Sequence, residues 1–232
     1  SYYGEDAVEY VSTELSEYGL TKEEQLAVYK SYDCYVGEKG FCFEDRVGTY
    51  NLPIMKSDGS GYGFNLWLTD SGTYNTENDY GGYACVYKEQ IEWYKETAAK
   101  LKEENGGKAV PSINFQHIIV PEIYDALDEV KLLWFGRIVR KKNALNDKTR
   151  YYALPKDAKG QLREYPCPPY YNNGQFDAML EMGDVLATVS GHDHENTFEI
   201  EAKDDGGNTY HFTINIPYKH RGENNINRLP RI

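Results

Sequence analysis

The chain has 232 residues, which suits one sizeable domain with enough mass to bury a core. It carries 25 Lys and Arg against 37 Asp and Glu, a formal net charge of −12. This balance argues against binding to a nucleic-acid backbone or an anionic membrane surface, since both need clustered basic side chains. It contains neither an apolar stretch of the roughly 20 residues that a membrane span needs nor a basic-then-apolar leader. We therefore expect a soluble chain and leave its compartment open.

Two short helices are predicted near the beginning of the sequence. Residues 5–18 carry apolar side chains at helical spacing on one face. The segment "TKEEQLAVYKSY" begins with Thr21 and has Glu24 three residues later, the pattern of a capping box. Nearby, Cys34 and Cys42 are close enough in sequence to form a local disulfide, although free thiols are equally compatible with the pattern.

Strands and one long helix are predicted in the middle of the chain. The segments "GTYNLPI" and "GFNLWLTDSG" are typical of strands bounded by glycine, and residues 64–69 form a mostly apolar run. "KEQIEWYKETAAKLKEENGG" predicts a helix that ends at its two glycines. "PSINFQHIIVPE" predicts a strand of about seven residues that Pro121 closes.

Residues 125–163 are less regular and predict a hairpin-bearing insertion with a basic run. A solvated charged face is the simplest role for that run, and a phosphate contact is the alternative; its basic residues are Arg137, Arg140, Lys141 and Lys142. "NNGQFDAMLEMG" then predicts a short helix, "DVLATVS" a buried strand, and "TFEIEAKDDGGNTYHFTINI" a hairpin with "DDGGN" as its turn. The alternation of strands and helices indicates an α/β fold in a single domain over residues 1–232.

Three histidines stand where the predicted strands end. His117 lies late in "INFQHIIV", and His192 and His194 directly follow "VLATVS". In an α/β sheet, ligand sites gather at the carboxyl ends of the strands. Alternate residues of an extended segment point to the same side, so His192 and His194 could face one metal ion or two adjacent ions. For His117 alone, a hydrogen-bonded core histidine is the simpler interpretation.

At these histidines the chain resembles the calcineurin-like metallophosphoesterases, the superfamily that includes the purple acid phosphatases. The branch it resembles has an F-x-H-x-P-x-P-E strand and a terminal G-H-D-H-x-N. The corresponding segments here are "FQHIIVPE" (115–122), which has Ile119 at the first proline position, and "GHDHEN" (191–196). The segments "VGTYNLPI", "LWLTDSGTY", "QIEWY" and "REYPCPPYYNNGQFDAMLEMGDV" also resemble that branch. The resemblance covers roughly residues 40–200.

The resemblance implies a two-metal phosphoesterase with the fold of an αββα sandwich, two sheets packed between helix layers. It implies that His117 and His192 bind one metal ion and His194 the other, with Zn, Fe or Mn as the metals. Two such ions clamp a phosphate and lower the pKa of a bound water. Asp193 and Asn196 are implied as anchors behind the ligands, although turn-forming polar residues are an equal alternative.

The chain departs from the family by lacking the motifs that precede these histidines. The family begins with D-x-H, G-D-x-x-D and G-N-H-D or G-N-H-E, which supply the bridging Asp, further ligands and the histidine that protonates the leaving group. This sequence has no D-x-H and no G-N-H, and "GDVLA" (183–187) is not G-D-x-x-D. We therefore expect the C-terminal half of the sandwich, and no catalytic residue beyond the metal ligands themselves.

The predicted function is that of a metal-dependent phosphoester hydrolase, of which this chain supplies the C-terminal ligand half. Three neutral imidazoles could hold one divalent ion but could not readily bridge two dications. We therefore expect little or no activity from the chain alone, and activity only with the missing half or a partner chain that also covers the apolar sheet face.

Two other functions are compatible with the sequence. The first is a non-catalytic binding or regulatory module that keeps the fold with an incomplete metal site. The second is a carbohydrate-binding domain, since the chain holds 22 tyrosines with clusters at "GYGFNLW" and "YGGYACVY". The carbohydrate-binding function predicts sugar binding that is independent of metal.

Overall fold

A computed structural model describes residues 19–36, 41–43, 46–75, 81–131, 138–142, 148–203 and 209–214. The described helices are α1 (Lys22–Lys30), α2 (Lys88–Glu104), α3 (Ile123–Ala126) and α4 (Gln175–Met182). The described strands are β1 (Phe41–Phe43), β2 (Arg46–Met55), β3 (Tyr62–Thr69), β4 (Ser112–Gln116), β5 (Asp128–Val130), β6 (Val139–Lys142), β7 (Thr149–Ala153), β8 (Lys159–Gln161), β9 (Val185–Ser190), β10 (Thr197–Lys203) and β11 (Thr209–Ile214). The helix predicted over 5–18 and the turn at 204–208 lie outside the described residues.

The main sheet has the strand order β1-β2-β3-β4-β9-β11-β10-β8. Its four central strands, β3, β4, β9 and β11, pair in parallel, and antiparallel strands flank them on both sides. The carboxyl ends of the parallel strands consequently meet at one edge of the sheet. A ligand site is expected at that edge, and the candidate histidines come from it.

Helices α2 and α4 cover one face of this sheet. Helix α2 buries Ile91, Tyr94, Ala98 and Leu101, which recur at helical spacing, and they pack with Trp67 of β3. The helix ends at Asn105, and Gly106 and Gly107 follow it with positive φ. Helix α4 adds Ala178 and Met179 to the same hydrophobic core.

A second sheet of three antiparallel strands, in the order β5-β7-β6, is built from residues that follow β4. It packs against β10 of the main sheet through a separate core. The buried members of this core are Ile119, Val120, Ile123, Leu127, Val139, Tyr152, Leu162, Phe198 and Ile200. The segment predicted as an insertion therefore contributes its own packed layer beside the strand ends.

The α/β class predicted from the sequence is confirmed by this mixed architecture. The capping box of α1 is also present, since Thr21 Oγ1 accepts the Glu24 N–H and the Glu24 carboxylate accepts the Thr21 N–H. The strand predicted around His117 is shorter than expected, because β4 ends at Gln116. His117 lies instead in a bend beyond the strand, where its side chain is not confined between neighbouring strands.

Two further expectations concern membranes and cysteines. Within the described part of the chain, no helix is both long enough and apolar enough to cross a membrane. Cys34, Cys85 and Cys167 are free thiols, so the alternative of a disulfide at Cys34 is not realised in the structure. Cys85 is buried, and its thiol donates to the Tyr171 carbonyl at 2.7 Å.

Candidate functional site

The candidate site lies at the carboxyl ends of β3, β4 and β9. A cavity of about 400 Å³ opens there, and both His117 and Gly191 line it. Asp70, which follows β3, lines it too, but its carboxylate accepts hydrogen bonds from the Val47 and Gly72 N–H groups and forms an ion pair with Lys22 at 3.0 Å. That carboxylate is therefore used in joining the loop after β3 to its neighbours.

The backbone around His117 is held by hydrogen bonds from three directions. The Gly191 N–H donates to the His117 carbonyl at 3.1 Å, which joins the ends of β4 and β9. The Ile118 N–H donates to Ser71 Oγ at 2.9 Å, and the Gln116 amide donates to the Ile118 carbonyl at 2.6 Å. These contacts fix the bend from which the His117 side chain emerges.

A buried polar network continues from Gln116 beneath the sheet. Its Oε1 accepts from the amides of Asn114 at 2.7 Å and Gln175 at 2.6 Å. Asn114 in turn accepts from the Thr69 hydroxyl at 2.7 Å. Because buried amides cost free energy unless they are hydrogen-bonded, this network favours one arrangement of the strand end.

The fold brings His117 and His192 together although 75 residues separate them. His117 Nε2 lies 3.3 Å from His192 Nδ1, and the two ring centroids are 5.0 Å apart at an interplanar angle of 81°. The parallel register of β4 and β9 places Gln116 beside Ser190, so the residues that follow each strand emerge as neighbours. The spatial proximity of these two imidazoles is thus a direct result of the strand pairing.

The surroundings favour the neutral form of both imidazoles. Burial, together with the neighbouring His117 and His194, lowers the pKa of His192 to about 4. Burial also lowers the pKa of His117, with an additional contribution from His194. Neutral imidazole is the form that binds metal ions, so near neutral pH neither ring needs to lose a proton first.

The two facing nitrogens have the separation that a shared metal ion requires. Two nitrogens at a Zn–N distance of about 2.0–2.1 Å in tetrahedral geometry are about 3.3–3.4 Å apart. The observed 3.3 Å between His117 Nε2 and His192 Nδ1 agrees with that value, and it is also the length of an N–H···N hydrogen bond in which one neutral ring donates to the other. This pair therefore fits one ion as a two-nitrogen partial site.

His194 does not complete the site as a third donor. Its side chain is exposed, as is that of His117, and it lies near enough to lower the pKa of both other histidines. Across the described ranges, no group of three or more His, Cys, Asp or Glu side chains is arranged to hold a metal ion. The structure thus brings together two of the three predicted ligands.

Asp193 and Asn196 are both buried and join the histidine loop to residues 163–167. Asn196 Oδ1 accepts from the Arg163 and Glu164 N–H groups at 2.8 and 3.1 Å, and its amide donates to the Glu164 carbonyl at 3.0 Å. The Asp193 carboxylate accepts from the Cys167 N–H at 3.0 Å. Burial raises the pKa of Asp193 to about 6, against the opposing effect of the hydrogen bonds from Cys167 and Asn196.

Among the members of the predicted basic run whose side chains the structure describes, Lys141 is the one whose position bears on the site. Arg137 lies outside the described residues, Arg140 is exposed as expected for a solvated face, and Lys141 is half-buried. The Lys141 ammonium lies 3.6 Å from the centroid of the Tyr124 ring, a cation–π geometry. Burial lowers the pKa of Lys141 to about 8, and the Lys141 ammonium interacts electrostatically with Cys167 and Asp193.

Sequence reasoning did not identify the tyrosines that border the histidines. The Tyr83 ring meets His192 edge to face, with centroids 4.2 Å apart, and Tyr74 stacks on Tyr83 at 5.6 Å. A backbone bridge also pairs Tyr74 with Tyr83. The only signal in the sequence was the cluster "YGGYACVY", which does not say that it folds against His192.

Comparison with known proteins identifies relatives but no matching family model. The chain is 30% identical over 168 residues to a protein of Arabidopsis thaliana named "Probable inactive purple acid phosphatase 14". The aligned region covers 68% of this chain and 35% of that protein. It is 29% identical over 169 residues to "Probable inactive purple acid phosphatase 29" of the same plant, covering 68% of this chain and 37% of the relative. A third, "Probable inactive purple acid phosphatase 28", is 22% identical over 158 residues.

The chain spans about a third of the length of the curated relatives it matches. This similarity supports a relationship to the purple acid phosphatases at the level of the superfamily. The α/β architecture described above is consistent with part of a metallophosphoesterase-like fold. The relatives carry the word "inactive" in their names, so the similarity does not extend to a demonstrated activity.

Proposed function

We propose that this chain supplies the histidine ligands of a metal-dependent phosphoester hydrolase whose remaining ligands come from other polypeptide. The observation that carries this proposal is the 3.3 Å separation of His117 Nε2 and His192 Nδ1 at the ends of two adjacent parallel strands. The similarity to purple acid phosphatase-like proteins supports the same reaction class. The substrate would be a phosphoester.

In the proposed site, His117 and His192 hold one metal ion, and His194 is the ligand of the second. The metals would be Zn, Fe or Mn, which accept neutral imidazole. Metal ions in such sites activate a water molecule and neutralise charge on the phosphate. The protein's own contribution is to keep both rings neutral, to hold them at the spacing of one ion, and to anchor the histidine loop through Asp193 and Asn196.

The exposed face of the main sheet indicates where the remaining polypeptide would pack. Leu68, Phe115 and Val189 lie side by side on β3, β4 and β9, on the face opposite the buried Asn114. Phe115 is 41% exposed despite lying on a central strand. An apolar face on central strands is normally buried, so we propose that a second layer with an apolar inner face covers it.

The alternative is a non-catalytic binding or regulatory module. The names of the relatives favour it, as does the lack of a third metal-ligating side chain beside the pair among the described residues. The His117–His192 pair does not separate the two functions, because a module with an incomplete metal site keeps the same spacing of the two nitrogens.

Zinc titration of the chain tests the metal site directly. We expect one Zn²⁺ to bind by isothermal titration calorimetry, and expect His117→Ala or His192→Ala to weaken it at least about 100-fold, since even losing a partner behind a ligand costs 10–100-fold. Asp157→Ala, in an exposed turn, is the matched control and should change nothing. Zinc affinity that survives both histidine substitutions would contradict the proposal.

Co-expression separates the hydrolase from the module. A polypeptide that carries the D-x-H, G-D-x-x-D and G-N-H motifs is combined with this chain, and hydrolysis of phenyl phosphate is measured. We expect activity from the pair and little from the chain alone. Full activity from residues 1–232 alone would refute the need for further polypeptide, whereas a zinc-binding but inactive assembly would favour the regulatory module.

A further inference from the structure

We propose that the β6 edge of the three-stranded sheet binds an extended peptide of alternating acidic and apolar residues, which adds to this sheet as a fourth strand. The surface lies in a different sheet from the strands that carry His117 and His192, and it would exist whether or not those histidines bind metal. Three features of the molecule support it: the position of β6 in its sheet, the direction of its side chains and the segregation of charge along the chain.

Strand β6 lies at an edge of the second sheet. In the order β5-β7-β6 it pairs with β7 along Val139–Lys142, and among the described residues no other strand pairs with it. The far side of an edge strand presents backbone N–H and C=O groups to an incoming strand. Main-chain hydrogen bonds to such an edge are a general means of binding an extended peptide. Strand β6 therefore offers the backbone half of a peptide-binding site.

The inner side of β6 is packed against the body of the protein. Val139 is 6% exposed and belongs to the core of the second sheet, and the Lys141 ammonium lies 3.6 Å from the centroid of the Tyr124 ring. Because alternate side chains of a strand point to opposite faces, Arg140 lies on the outer face, where it is exposed. The edge is thus held in a defined position before a peptide arrives, which lowers the entropic cost of binding.

Basic residues are concentrated in the part of the sequence that contains β6. Residues 131–163 hold ten Lys and Arg against two acidic residues, whereas the whole chain holds 25 against 37. Arg140 of β6 and Lys148, which precedes β7, are both exposed. Basic side chains at an edge strand oppose pairing with the same edge of another copy and attract a strand of opposite charge. The charge around β6 therefore favours an acidic peptide.

The other edge of the same sheet has the opposite charge. Strand β5 begins with Asp128 and Glu129, which are both exposed, and Glu129 forms an ion pair with Arg150 of β7 at 3.0 Å. Among the described side chains, no carboxylate forms an ion pair with Arg140. An acidic strand at β5 would meet like charges, so β6 is the edge that an acidic peptide selects.

The position of β6 also defines the sequence pattern of the peptide. A strand paired with β6 places every second side chain on the outer face, beside Arg140, and the others beside Val139 at the margin of the buried core. Acidic residues suit the outer positions and apolar residues the inner positions. About five alternating residues, an ordinary strand length, are enough to pair with β6.

A peptide fits this surface better than a nucleic acid does. A peptide of that length contacts only the second sheet, whereas a nucleic-acid backbone extends beyond it over a chain with a net charge of −12. A sugar–phosphate backbone also has no N–H donors with which to continue a β-ladder.

The test measures peptide binding to the full chain by fluorescence anisotropy. The probe is the rhodamine-labelled peptide Glu-Val-Glu-Val-Glu, and the comparison is Lys-Val-Lys-Val-Lys with the same label. We expect the acidic peptide to bind at least about tenfold more tightly, because several cross-strand charge pairs change sign. A copy of the acidic peptide that is N-methylated at every residue keeps the charges but lacks the ladder donors. It should bind at least about tenfold more weakly than the unmethylated probe.

Arg140→Glu should weaken binding of the acidic peptide about three- to tenfold, since it replaces an attraction with a repulsion of similar size. Arg140→Gln removes only the attraction and should cause a smaller loss. Lys108→Glu is the matched control, because it makes the same change in net charge at an exposed position between α2 and β4. It should leave the Kd unchanged. Thermal unfolding, recorded for each variant, should match that of the wild-type chain.

Equal affinity for the acidic and basic peptides, or equal losses in Arg140→Glu and Lys108→Glu, would overturn the proposal. Undiminished binding of the N-methylated peptide would show that no strand is added. Association of two copies that Arg140→Glu abolishes would show that a second chain occupies the edge. Displacement of the peptide by a short oligo(dT) of higher affinity would assign the surface to nucleic acid. His117→Ala should leave the Kd of the acidic peptide unchanged, so this surface and the proposed metal site are tested separately.

Discussion

The two ends of β9 each bury an aspartate, but the two carboxylates are used very differently. Asp184 precedes the strand and is 5% exposed, and Asp193 follows it and is 3% exposed. Asp184 accepts side-chain hydrogen bonds from Trp67 Nε1 at 2.9 Å, Ser112 Oγ at 2.8 Å and the Tyr94 hydroxyl. Asp193 accepts from the Cys167 N–H at 3.0 Å and from the Asn196 amide at 3.4 Å.

The difference indicates that the two ends of the strand serve different purposes. Three strong donors make Asp184 a fixed point between β3, β4 and α2, which is a structural role. At Asp193, burial dominates and raises the pKa to about 6. The amino end of β9 is thus optimised for stability, whereas the carboxyl end holds the histidines at some cost in free energy, as is typical of functional sites.

The largest expected effect is at the amino end. Asp184→Ala leaves the Trp67, Tyr94 and Ser112 donors without their shared acceptor inside the core. We expect it to lower the free energy of unfolding by about 3 kcal/mol, measured by urea denaturation. Asp177→Ala, an exposed aspartate on α4, should change it by less than about 0.5 kcal/mol. A loss below about 1 kcal/mol at Asp184 would remove the contrast between the two ends.

An intermediate effect is expected at Asn196. Asn196→Ala removes the hydrogen bonds to Arg163 and Glu164 and should lower the free energy of unfolding by about 1–2 kcal/mol. Its effect on zinc affinity should be larger, about 10–100-fold, because the histidine loop loses its anchor. Asn105→Ala at the end of α2 serves as control for both measurements. A variant that loses stability but keeps full zinc affinity would assign Asn196 to the fold alone.

The smallest expected effect concerns Glu122, which follows β4 as Asp193 follows β9. Burial, reinforced by the nearby Asp177 and Asp125, raises the pKa of Glu122, and within the described chain its Oε2 is buried without a hydrogen-bond donor. A carboxyl group whose pKa is raised in the folded state stabilises fully below its unfolded pKa, and this contribution is lost as pH rises through the folded pKa.

We therefore expect Glu122→Gln to stabilise the chain at pH 7 by about 0.5 kcal/mol, discounted for the partial exposure of the side chain. The gain should vanish near pH 4, where the wild-type carboxyl is protonated. Thermal unfolding at both pH values measures it. A stabilisation of equal size at pH 4 would mean that ionisation of Glu122 is not the cause.

Local pattern was sufficient to predict most of the regular elements. The amphipathic spacing that produces α2, the capping box of α1 and the glycine that ends α4 are all short-range signals, and the structure contains each of them. The end of β4 was misplaced because the apolar run of "HIIV" continues past the strand. The three apolar residues Ile118, Ile119 and Val120 are buried in a loop and not in a strand, and Ile119 and Val120 pack in the core of the second sheet.

The candidate site was only partly accessible to the same reasoning. The positions of His117, His192 and His194 at the ends of predicted strands pointed to these three residues, and the resemblance implied their roles as metal ligands. The contact of Tyr83 with His192 and the half-buried position of Lys141 could not be predicted, since each depends on segments distant in sequence that pack together. Lys141 was expected on a solvated face, because a run of basic residues does not indicate that one of them covers Tyr124.

By itself the sequence determined the α/β class, the main elements and the histidines at the strand ends, since periodicity and turn chemistry act within a few residues. Only the tertiary structure decided which histidines meet. Parallel pairing of β4 with β9 brings His117 Nε2 to 3.3 Å from His192 Nδ1. That distinction depends on the direction of side chains from neighbouring strands, which no linear motif encodes.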